Sequence, residues 1–227
     1  GLKIMDGAVA VSPLVKNHLS ELFEGPIEVC LPALSEEKIE LLEQKNPSSK
    51  NAVFSVVKNS EWKGIEQLLE AFKIAREEVG DLELNLRIGE NIYQEHKEEL
   101  DDSSINVYRE WLTEEEYAEL VGENQLYLQA SYFEPFGVAV AEAMTAGLTP
   151  LVTDKVGAKC LFEDDFPSLV RKSSAQDLAN GIIQHFNDES SPNEQSTYMR
   201  EAVKRVFPNN VEEEFKKSFY KLVDPQK

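Results

Sequence analysis

Two glutamates, Glu134 and Glu142, stand eight positions apart in the stretch SYFEPFGVAVAEAMTAG (131–147), whose other residues are mostly small or apolar. An ionised carboxylate only accepts hydrogen bonds and can take two hydroxyls at once, so such a pair suits acid/base work on a glycosidic bond or a grip on a polyol. Eight helical residues rise about 12 Å, whereas a retaining hydrolase holds its carboxyls only about 5–5.5 Å apart. Spacing therefore argues against a hydrolytic dyad unless the loop folds back. The pattern predicts a helix starting near Phe136, between the two glutamates, with Gly137 leaving its backbone accessible. The amides of Phe136, Gly137 and Val138, at the positive end of the helix dipole, would form an anion site. Two hydroxyl-binding carboxylates around it would hold sugar, phosphate and ribose in sequence. Spacing alone leaves a second reading open, in which Glu134 is a solvated loop residue and Glu142 a helix-surface glutamate.

The elements that must position these residues follow from hydrophobic patterning. From Asn51 onwards, short apolar runs (AVFSVV, LELNLRIG, INVYR, QLYLQA, TPLVTD, SLVRK) alternate with amphipathic helical segments. That alternation predicts an α/β fold with a doubly wound parallel sheet covered on both faces. Ligands of such sheets sit beyond the carboxyl ends of the strands, which favours Lys58, Gly89, Tyr108 to Trp111, Ser131 to Gly137 and Asp154 as site residues. Upstream, DGAVAVS and PLVKNHLSELF read as a strand and a helix, with Ser12 as N-cap and Pro13 in the first turn. IEVCLP then leads into a polar connection around NPSSKN, where the main boundary is placed. Two further helices, around SPNEQSTYMREAVKRVF and VEEEFKKSFYKLV, close the chain.

The balance of 23 Lys and Arg against 42 Asp and Glu, a formal charge of -19, disfavours nucleic acid or an anionic membrane as a general partner. The two cysteines, Cys30 and Cys160, have no CxxC spacing, and the three histidines, His18, His96 and His185, lack metal or triad spacing. No apolar run reaches the length of a membrane span, and GLKIMDGAVAVS does not read as a charged-then-apolar leader. A cytoplasmic protein is expected.

The stretch around Glu134 and Glu142 resembles the E-x7-E region of retaining glycosyltransferases with the GT-B fold, especially family 4. Ser131, Glu134, Pro135, Phe136, Gly137, Glu142, Ala143, Met144 and Gly147 match S-x-x-E-P-F-G...E-A-M-x-x-G. FSVVKNSEWKGIEQLLEAF is similar to the family's G-R-x...K-G-x-x-x-L-x-x-A-F, with Lys63 and Gly64 as the K-G pair. Lys58 stands where arginine is usual, and Val57 replaces the glycine before it, departures that bear on activity rather than on donor binding. Gly89 matches the first glycine of a G-x-G turn whose second is Asn91 here.

The resemblance implies the C-terminal half of a GT-B fold, which binds a nucleotide-diphosphate sugar without a cofactor or a bound metal. Glu134 would accept hydroxyls of the transferred sugar and Glu142 those of the ribose. Lys58 and Lys63, with the amides at Phe136, Gly137 and Val138, would hold the diphosphate; Gly89 and the loop Arg109 to Trp111 would lie at the nucleobase. The expected organisation is a remnant of the acceptor domain and the interdomain connection over 1–46, the donor domain over 47–190, and C-terminal helices over 191–227. A carbohydrate or lipid-linked acceptor would be bound through a further N-terminal domain, with the full-length protein at the membrane periphery. A non-catalytic or degenerate nucleotide-sugar-binding module is the alternative.

Overall fold

The computed structural model describes residues 6–58, 61–188, 192–206 and 211–223. Ser12 caps the first helix as expected, its hydroxyl accepting from the Val15 amide. Strand β1 (Ala8–Ala10), α1 (Pro13–Ser20) and β2 (Ile27–Val29) make a β-α-β unit whose two strands pair in parallel. Where a polar connection was expected, the chain first forms α2 (Glu36–Glu43). Ser35 caps it and Glu36 and Glu37 stand in its first turn, which suits the positive end of the dipole.

The main sheet uses β3 (Ala52–Val57), β4 (Glu83–Ile88), β5 (Ile105–Tyr108), β6 (Leu126–Gln129), β7 (Thr149–Thr153) and β8 (Val170–Arg171). Between and after them run α3 (Ile65–Val79), α4 (Glu90–Glu95), α5 (Glu114–Gly122), α6 (Val138–Thr145), α7 (Ala175–Asn187), α8 (Pro192–Val206) and α9 (Val211–Val223). All strand pairs are parallel, in the order β5-β4-β3-β6-β7-β8. A 3-10 turn over Gly157–Leu161 follows β7. The helix expected from Phe136 begins two residues later, because Gly137 adopts φ 99° as its N-cap.

Every residue of β3 is buried, so its side chains feed two cores by strict alternation. Val53 and Val57 pack with Leu68, Phe72, Leu86 and Ile182 under α3 and α7. Phe54 and Val56 pack with Tyr117, Val140, Met144 and Met199 under α5, α6 and α8. Burying both faces explains why the strands read as continuous apolar runs. Counted from β3 the sheet order is 3-2-1-4-5-6, so consecutive crossovers leave in opposite directions between β3 and β6, and a crevice opens beyond their carboxyl ends.

Candidate functional site

The loop after β6 and the turn after β3 meet at this crevice. Lys63 lies at the end of a 3-10 turn over Glu61–Lys63, and its ammonium donates to the Glu134 carboxylate. Gly64 follows with φ 68°, and a Cβ there would drive into the Ala130 carbonyl at the end of β6, so only glycine lets the two loops approach this closely. The Tyr132 amide donates to the Trp62 carbonyl at 2.9 Å, fastening the loops a second time.

Glu134 is held on its other side as well. Its amide donates to Lys155 and its carbonyl accepts from Gly157, both at 2.9 Å. The Ser12 hydroxyl donates to the Pro135 carbonyl at 2.5 Å, so the cap of α1 also braces the loop. Ser131 is fully buried: the Gln129 amide donates to its hydroxyl at 2.6 Å, and Tyr127 donates to Gln129 at 2.6 Å. Its part in the motif is to fix the loop. The Glu134 side chain is only 12% exposed, which removes the reading of a solvated loop residue.

Glu142 is also buried, with 11% of its side chain exposed, and is not a helix-surface glutamate. Lys38 of α2 donates to its Oε1 at 2.9 Å, and the Tyr117 hydroxyl of α5 donates to its Oε2 at 2.6 Å. Lys38 also pairs with Glu114 at 2.9 Å. Burial alone would pull the Lys38 pKa down, but hydrogen bonds to Glu114 and Glu142 outweigh it and hold the ammonium above its ordinary value. Burial, then the Glu142 charge, pushes the Tyr117 phenol well above its ordinary range, so it stays a donor. Each oxygen of Glu142 thus has one partner and a lone pair left for a hydroxyl.

Other expected residues spread around the same strand ends. Lys58 is exposed just past β3. The side chain of Val57 is buried in the core under α3 rather than standing at the strand end. Gly89 caps α4, and its amide donates to the Val57 carbonyl at 3.0 Å. Phe136 is 3% exposed with its ring in the core, so only its backbone can serve a ligand; Val138 heads α6 at 39% exposure. Arg109 pairs with Glu90 at 3.0 Å and lies 4.3 Å from the Tyr93 ring centroid. Trp111 is 89% exposed rather than packed. Arg87 lies 6.0 Å from the Trp111 centroid and 5.3 Å from that of Tyr117, linking the Arg109 to Trp111 loop to Glu142.

Lys38, Tyr117 and Arg87 were not expected from the sequence. Among the described residues, no group of three or more His, Cys, Asp or Glu side chains is arranged to hold a metal ion. No described helix is long and apolar enough to cross a membrane.

A doubly wound parallel sheet with this crevice defines a Rossmann-like domain of the kind that forms the C-terminal half of GT-B glycosyltransferases. The sequence profile of glycosyl transferases group 1 matches residues 37–205, and the chain belongs to that family. The sucrose-phosphate synthase of Thermosynechococcus elongatus superposes with a TM-score of 0.79 at 19% identity, over 99% of this chain and 60% of that one. A mutant of S. aureus TarM, in complex with fondaparinux, alpha-GlcNAc-glycerol and UDP, gives 0.76 at 15% identity, over 98% and 45%. The pneumococcal O-GlcNAc transferase GtfA, in complex with UDP and GlcNAc, gives 0.74 at 17% identity, over 98% and 46%. At these identities the likeness is one of fold. The chain spans 60% of the first of these and about half of the other two. No curated protein is a significant match in sequence.

Proposed function

We propose that the chain is the donor-binding part of a retaining glycosyltransferase, gripping a nucleotide-diphosphate sugar through the E-x7-E pair. The observation that carries this is the convergence of Glu134, Lys63 and Glu142 on loops and a helix beyond the carboxyl ends of β3 and β6. Two UDP complexes among the structural neighbours support a nucleotide-sugar donor.

On this reading Glu134 accepts hydroxyls of the sugar and Glu142 those of the ribose. Lys63, Lys58 and the amides at the start of α6 face the diphosphate. In the transfer the bond between the anomeric carbon and the phosphate oxygen breaks, and its electron pair stays on the leaving phosphate. The lysines stabilise that charge, while the acceptor hydroxyl bonds to the same face of the sugar and its proton passes to the leaving phosphate oxygen. The metal-free chemistry, the cytoplasmic location, the division at 46/47 and 190/191, and an acceptor site supplied by a further domain belong to the same proposal.

The alternative, a binding module without turnover, is favoured by Lys58, which lacks the planar fork of arginine. A thermal-shift panel of UDP-, GDP- and ADP-sugars tests the step common to both readings. At least one should raise the melting temperature, since a ligand of the folded state stabilises it by mass action. Glu142→Ala should abolish that rise. If no donor moves the transition at millimolar concentration, donor binding by this chain is wrong.

A further inference from the structure

A cavity of about 340 Å³ lies behind the two donor loops, between the start of α3 and the end of α4. Trp62 and Tyr132 form one wall, at 68% and 42% exposure, and Ile65 and Ile92 lie at its base. The Tyr132–Trp62 backbone bond holds the two aromatic residues side by side. Glu66 and Glu95 stand at the rim, both exposed and neither with a side-chain partner among the described residues. His96 completes the lining.

We propose that this cavity is a subsite for a neutral carbohydrate, taking one sugar ring against Trp62 and Tyr132 with its hydroxyls on Glu66 and Glu95. Aromatic faces offer rigid apolar area to the C–H face of a sugar, and carboxylates accept its hydroxyls. No lysine or arginine lines the cavity, so a phosphate would find no counter-charge. The same rings and carboxylates suit an organic cation. The choice of a sugar rests on the donor reading: Trp62 adjoins Lys63, and Tyr132 lies two residues before Glu134, so a glycan here would adjoin the transferred sugar.

The chain has two tryptophans, Trp62 and Trp111, so Trp111→Phe leaves Trp62 as the sole indole reporter. The full chain carrying this change is titrated with methyl α-glucoside, methyl α-galactoside, N-acetylglucosamine and maltotriose. At least one should change the emission saturably at millimolar concentration, with the same midpoint from about 0.05 to 0.5 M NaCl. Tyr132→Ala and Glu66→Gln should each weaken the response at least tenfold, whereas Tyr132→Phe and Glu142→Ala should keep it. No response to any sugar, a response that survives Tyr132→Ala, or a salt-dependent response to tetramethylammonium alone would overturn the subsite. Donor binding by the wild-type chain, followed in parallel by thermal shift with the UDP-, GDP- and ADP-sugar panel, separates the two readings. A sugar response without binding of any donor leaves the subsite and sinks the donor site, and donor binding without a sugar response sinks the subsite alone.

Discussion

Glu142 is a residue whose burial has to be compensated. Its two oxygens are taken by Lys38 and Tyr117, from two other helices, and Lys38 is shared with Glu114. Lys38→Met therefore strands a nearly buried carboxylate on a single phenol. Breaking a fully buried ion pair costs about 3–5 kcal/mol; the Lys38 side chain is 22% exposed, so a smaller loss, roughly 1–3 kcal/mol, is expected. Adding Glu142→Gln should return part of it, because the unpaired charge is then gone. Urea unfolding of the two single variants and the double variant measures this cycle. Equal losses for Lys38→Met in either background would mean that the pair carries no coupling. Nothing in the sequence near Glu142 signalled this contact, since Lys38 lies 104 residues away. The motif marked the carboxylate, whereas its partners came from α2, which packs on both α6 and α5, and from α5 itself.

Among the elements, α7 carries a titratable group in an uncompensated place. His185 has its Nε2 buried without a hydrogen-bond partner among the described residues, and burial lowers its pKa to about 4, opposed by the Asp188 charge. The unfolded chain takes up a proton near pH 6.5, the folded chain only near pH 4, so stability is full above 6.5 and is lost as pH falls through that window. The loss by pH 5 is at most about 2 kcal/mol, and less to the extent that solvent reaches the ring. Chemical denaturation of wild type and His185→Gln at pH 7.5 and pH 5 isolates the contribution: the gap between them should shift against the wild type on acidification. An unchanged gap would mean the ring is solvated. The same helix was plain in the sequence, as were the six main strands, because both faces of the sheet are buried and each strand reads as an apolar run. Helix α2 was not, since of its eight residues only Leu42 is buried and the polar remainder looks like linker. The start of α6 was placed two residues early because the left-handed turn at Gly137 has no periodicity to show.

At the scale of the whole molecule, the small β1-β2 unit depends on the two ends of its own sequence neighbourhood being tied to distant parts. Among the described residues its buried core is Ala10, Phe23 and Ile27. An isolated two-stranded sheet is marginal in water, so its order must come from what packs on it. The Ser12 hydroxyl reaches the Pro135 carbonyl, and the His18 ring meets Phe133 edge-on at 5.3 Å, anchoring α1 to the loop that carries Glu134. On the strand side α9 returns across β2 and β1: Lys221 pairs with Glu28 at 3.4 Å, and Leu222 packs on Gly7. The sequence pointed to a last helix over VEEEFKKSFYKLV; the residues it meets could be read only from the structure. Removing residues 211–227 should therefore speed amide hydrogen exchange in β1 and β2 by at least an order of magnitude, while β3, β4 and β6 keep their protection because their cores lie under α3, α5, α6, α7 and α8. Exchange in α1 should rise less, because its contacts with the Glu134 loop survive the truncation. Uniformly faster exchange across all strands would instead mean that α9 supports the six-stranded sheet through the β1-β2 unit, making the molecule a single cooperative body.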